Sequence, residues 1–247
     1  EDETIITGAS SSNSVTIDAE KGQTANVTLD NVNIDASDTN KAAVSTEGVV
    51  SIELDGNNTL QGGDGHAALE KWSNAVTDKD GNTSPDNNLK LTITDNKNND
   101  GTDKTGAKTD TSGSLTATGG AGGAGIGGTV TDGGYANNIT ITGGTIAATG
   151  GDGGAGIGGG KGDSTKLIGN FGGGNASSII ISGSNTTVIA KGTGGGAGIG
   201  GGLGDDANLT GQGLDITIKD GAHVSATGSA GGAGIGGGDR NADKNKQ

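Results

Sequence analysis

The chain has no cysteine and no methionine, and only one proline, one tryptophan, one tyrosine and one phenylalanine among 247 residues. Without cysteine there is neither a disulfide framework nor a thiolate metal site. Three aromatic rings cannot fill a thick globular core, and an apolar share of 28% is low for one. No run approaches the ~20 apolar residues that a membrane helix needs. Positive charge is scarce as well: 15 Lys plus Arg stand against 29 Asp plus Glu, a net charge of −14. Nucleic acids and anionic membranes require basic patches, so neither nucleic-acid binding nor membrane insertion is expected.

Glycine is abundant, at 55 residues, and it recurs in a pattern. GAGIGG occurs four times, around Ile126, Ile157, Ile199 and Ile235. The strings LTATGGAGGAGIGG, IAATGGDGGAGIGG, VIAKGTGGGAGIGG and VSATGSAGGAGIGG share an apolar-x-Ala step, turn glycines and Ala-Gly-Ile. Upstream, LQGGDGHAALE places His66 where the later copies have glycine and Leu69 where they have isoleucine; NKAAVST around Val44 is a fainter copy. A second alternating run precedes each copy: Val27 and Leu29, Ile52 and Leu54, Leu91 and Ile93, Ile139 and Ile141, Ile179 and Ile181, Ile216 and Ile218. Low hydrophobicity with high net charge ordinarily leaves a chain disordered. Recurrence argues for order here, because stacked repeats can share a narrow core of β-branched and small residues.

Each repeat therefore reads as three short strands. The expected fold is all-β: a single right-handed three-sided parallel β-helix (β-solenoid) of about six to seven coils, without helical caps. Residues 1–23 would form an N-terminal strand and partial coil, 24–238 the coils and 239–247 a tail, in one domain. Inserts of unequal length fall at 70–87, 95–112, 128–137, 159–175 and 201–213. Such inserts form a variable face, where repeat proteins place binding. The GAGIGG glycines lack the strand-to-helix context of a dinucleotide fingerprint and are read as structural.

The inserts hold the candidate site residues. All three aromatics lie there, and Trp72, Tyr135 and Phe171 are candidates to stack on sugar faces. Two inserts alternate oxygen donors before a turn glycine, as a hard cation requires: DKDGNTSPD, with Asp78, Asp80, Asn82 and Asp86, and DNKNNDGTD, with Asn96, Asn98, Asp100 and Asp103. Calcium is the expected ion, although neither loop has the bidentate Glu of an EF-hand. Thr28, Thr92, Thr140 and Thr217 read as equivalent outward positions on the first strand, with Glu53 and Ile180 interrupting the column. Catalysis is not expected. Arg240 is the only arginine, His66 and His223 are the only histidines, and the Asp residues cluster in turns, so no acid–base pair converges.

The strings NVTLDNVNI, NNTLQGG and TATGG…GAGIGG resemble the glycine-rich carbohydrate-binding β-helix modules of secreted and cell-surface proteins of anaerobic Gram-positive bacteria, related to calcium-containing, pectin-binding right-handed β-helices. The resemblance covers residues 24–238 and rests on fold-forming glycines and isoleucines. It implies an extracellular or cell-surface location and a polysaccharide or surface glycan as partner, and it carries over no site residue. The expected function is a non-enzymatic structural or adhesive surface module that binds glycan and is stabilised by calcium. The alternative follows from the uncapped strand edges: end-to-end self-association into a filament.

Overall fold

The structure, a computed structural model, describes residues 4–72, 75–77, 83–85, 88–96, 113–130, 134–162, 172–204 and 209–240. The first strands are β1 (Thr4–Ser10), β2 (Val15–Asp18), β3 (Thr24–Asp35), β4 (Val44–Glu47), β5 (Val49–Asp55), β6 (Asn57–Gln61) and β7 (Leu69–Lys71). A two-stranded antiparallel hairpin, β8 (Ala75–Thr77) and β9 (Thr83–Pro85), follows within the 70–87 insert. The later repeats each contribute three strands: β10 (Lys90–Thr94), β11 (Ser114–Thr118) and β12 (Ile126–Gly127), then β13 (Ala136–Ile141), β14 (Gly144–Asp152) and β15 (Ile157–Gly158). The last two sets are β16 (Ala176–Ser182), β17 (Thr186–Thr193) and β18 (Ile199–Gly200), and β19 (Gly213–Lys219), β20 (His223–Thr227) and β21 (Ile235–Gly236).

These strands gather in two large parallel sheets. One has twelve strands in the order β19-β16-β13-β10-β5-β3-β6-β11-β14-β17-β20, with β1 also on β3; the other has seven, in the order β2-β4-β7-β12-β15-β18-β21. The expected three-sided β-helix, with a separate sheet on each side, is thereby corrected. First and second strands of the repeats belong to one sheet, because β3 runs unbroken for 12 residues and pairs with β5 through its first half and β6 through its second. The break in apolar pattern that suggested two separate faces is only a local bend, made at Asn31 (φ 53°) and, between β5 and β6, at Gly56 (φ 60°). At the other end, residues 220–222 alone join β19 to β20, the two extremes of the sheet order, so the large sheet nearly closes on itself.

The core is the set of in-register apolar columns between these sheets. Ile126, Ile157 and Ile199 stack directly on one another, with Leu69 before them and Val44 before Leu69, and all five are fully buried. In the large sheet, Leu91, Ile139 and Ile179 form a second column, and Leu115, Ile146 and Val188 a third, all fully buried. β-Branched side chains fit such a pleated, half-buried ladder well. Among the described residues, the column ends at Ile235. Ile235, in register with Ile199, is 47% exposed, and Leu214 and Ile218 on β19 are exposed as well.

The first-strand register differs from the alignment expected above. Leu91 and Ile93 pair with Val50 and Ile52, not with Ile52 and Leu54. The outward column is therefore Asn26, Ser51, Thr92, Thr140, Ile180 and Thr217. Thr28 belongs to a different column, with Glu53 and Thr94.

Asn58 is the polar member of an otherwise apolar column, paired with Leu115 and 1% exposed. Its Oδ1 accepts the Val32 N–H at 2.9 Å, and its Nδ2 donates to the carbonyls of Asp55 (3.0 Å) and Ser114 (3.1 Å), joining three strands through one side chain. Asn58→Leu leaves these backbone groups without that partner and is expected to cost about 1–3 kcal/mol, read as a lower urea midpoint. An unchanged midpoint would contradict this role.

Candidate functional site

Two regions of the surface bring polar or aromatic groups together. The first lies where the chain leaves the seven-stranded sheet for the larger one. Trp72 follows β7 and is 39% exposed, while Lys71 before it is buried. The Lys71 ammonium donates to Asn137 Oδ1 at 3.1 Å and to the Trp72 carbonyl at 3.2 Å. Asn137 is two residues beyond Tyr135, which is half-buried at the next such crossing. One buried ammonium thus ties together the two segments that carry these rings. Of the other expected site residues, Asn96 is exposed, whereas Phe171, Asp78, Asp80, Asn82, Asp86, Asn98, Asp100 and Asp103 lie outside the described residues.

Beside this region, His66 Nδ1 lies 2.8 Å from Glu70 Oε2, and Thr46 Oγ1 donates to the Glu70 carbonyl at 3.1 Å. His66 stands in the turn before the third strand, where later repeats have glycine, and its backbone carbonyl accepts the Gly120 N–H at 3.0 Å. This is a structural role. Elsewhere, Asp35 accepts hydrogen bonds from the Ser37 side chain and from its backbone N–H, which hold its exposed carboxyl below the ordinary value. A lowered carboxyl stabilises the fold above its unfolded pKa, and that contribution is lost as pH falls through the lower folded value.

The second region is a group of carboxylates absent from the expected site. β5 alternates strictly, with Val50, Ile52 and Leu54 in the core and Ser51, Glu53 and Asp55 on the other face. Asp95 follows β10, the neighbouring strand, directly after Thr94. Glu53, Asp55 and Asp95 each bring a carboxylate oxygen within 4.8 Å of the others. Glu53 and Asp95 are buried, at 5% and 7% exposure, and Asp55 is half-buried. Small residues surround Asp95: a Cβ on Gly113 would come within 2.7 Å of its Oδ1, and one on Gly143 within 3.1 Å of its Cβ. Oxygen donors at such spacing hold cations. Asp95 was in view in the sequence as the first residue of DNKNNDGTD; its partners were hidden because Glu53 read as an interruption in a threonine column.

Comparison of the chain with family models, with curated proteins and with solved structures finds no match. Among the described residues, no helix is long and apolar enough to cross a membrane.

Proposed function

We propose that this protein is a non-enzymatic module of the cell surface or extracellular space that presents a glycan-binding face on a rigid parallel-sheet scaffold. The observation that carries the reading is the tether at Lys71, which holds the segments of Trp72 and Tyr135 together and leaves the tryptophan exposed. A ring held on a rigid element presents an apolar face at low entropic cost, which is what stacking on a sugar requires. The acidic surface, net charge −14, favours neutral polysaccharides over strongly anionic ones. In affinity electrophoresis through gels containing neutral or weakly acidic polysaccharides, the wild-type chain should be retarded. Trp72→Ala and Tyr135→Ala should each weaken retention about three- to tenfold, the equivalent of ~0.5–1.5 kcal/mol per ring. Retention that survives both substitutions, or no retention in any gel, would refute the proposal.

A second reading is end-to-end association of copies, and the exposed edge favours it. Ile235, Leu214 and Ile218 offer apolar surface on the outermost strands of both sheets among the described residues. On this reading, sedimentation velocity shows assembly that grows with concentration and disappears in Ile235→Lys. The aromatic substitutions would leave assembly intact. A strict monomer across the concentration range would exclude it.

A further inference from the structure

The carboxylate group on β5 and β10 has a fourth member. Thr94 pairs with Glu53 in the parallel ladder, so the two side chains leave the sheet on the same face at neighbouring positions. Thr94 is 8% exposed, and its hydroxyl oxygen is buried with no hydrogen-bond partner among the described residues. A buried hydroxyl in that state costs about 1–3 kcal/mol. Beside it, Glu53, Asp55 and Asp95 each bring a carboxylate oxygen within 4.8 Å of the others, and two of the three residues are buried. A hard cation takes carboxylate and hydroxyl oxygens together and would give the Thr94 oxygen a partner. The spacing fits its size, because oxygens on opposite sides of a calcium ion stand about 4.6–5.2 Å apart, twice the 2.3–2.6 Å bond length.

We propose that Glu53, Asp55, Asp95 and the Thr94 hydroxyl form a binding site for one calcium-sized divalent cation that staples adjacent strands of two successive repeats. This site is separate from the aromatic face and does not depend on the glycan reading. An ion here links β5 to the end of β10 and the first residue of the 95–112 insert, so binding raises the stability of the stack by mass action.

The test uses the full chain stripped with a chelator and titrated with calcium chloride alone, by calorimetry and by thermal melting. The wild type should bind one ion with a Kd in the range of about 10⁻⁶–10⁻³ M, with a melting temperature that rises with calcium concentration. Glu53→Gln combined with Asp95→Asn should weaken binding at least tenfold. Thr94→Val preserves shape, removes the buried hydroxyl and should weaken binding severalfold; it decides the matter if the double variant does not fold. Combined Asp78→Asn, Asp80→Asn and Asp86→Asn should leave the high-affinity binding unchanged. The proposal is overturned if the wild type binds no calcium up to about 10 mM, beyond the weakest protein sites. It is equally overturned if affinity is the same in Thr94→Val and in the double variant, or is lost only in the insert variant.

Discussion

Gly158→Ala is expected to destabilise this protein by about 3 kcal/mol or more, while the same change at Gly236, two repeats further along the same column, costs about 1–2 kcal/mol. Both glycines follow an isoleucine in the third strand, and both have φ near +140° (138° and 136°), so each alanine is strained to a similar degree. The difference is what lies ahead. A Cβ on Gly158 would collide with the carbonyl oxygen of Gly200 in the next repeat, and the stacked strands cannot separate there without breaking their ladder. On Gly236, at the open edge, the nearest atom is the Ala233 Cβ at 3.5 Å. Urea denaturation of the two variants measures the gap directly, as a difference in midpoint at similar slope. Equal midpoints would mean that the repeats are not packed backbone to backbone at this column.

The second large effect is a cavity. Ile139 is fully buried between Leu91 and Ile179, and Ile139→Ala should cost about 2–5 kcal/mol, because neighbours held in two ladders cannot collapse into the space. Ile189 is the control. It lies on β17 of the same sheet, is 53% exposed, and its truncation should stay within about 0.5 kcal/mol. Comparable losses from the two would contradict the assignment of inward and outward faces.

Much of this arrangement was legible in the residues themselves. The isoleucines of the four GAGIGG copies were readable as one stacked column, and the weaker matches at Leu69 and Val44 fall into the same column. The number of sheets was not legible. A chain can bend within a ladder at one residue, such as Asn31 or Gly56, and composition does not distinguish such a bend from a corner between separate sheets. The first-strand register was lost for a different reason. β5 has three inward residues, Val50, Ile52 and Leu54, against two in β10, Leu91 and Ile93, so two alignments keep every side chain on its proper face. Alternation has a period of two, and a slip of two residues leaves no trace in the pattern. That slip placed Thr28 with Thr92 and hid the pairing of Glu53 with Thr94, and with it the carboxylate group. Asn58 was obscured similarly, since an asparagine in an apolar column reads as a turn until its three backbone partners are known.

The in-register stacking of like on like makes the chain modular in a literal sense. Excision of residues 128–158 would remove one strand from each column and bring Leu91 onto Ile179, Leu115 onto Val188 and Ile126 onto Ile199, contacts of the same kind as those lost. Duplication of that segment would likewise keep these three apolar columns in like-on-like contact. Unequal recombination between copies can therefore lengthen or shorten the gene product without exposing a mismatched surface, and length becomes a freely adjustable trait.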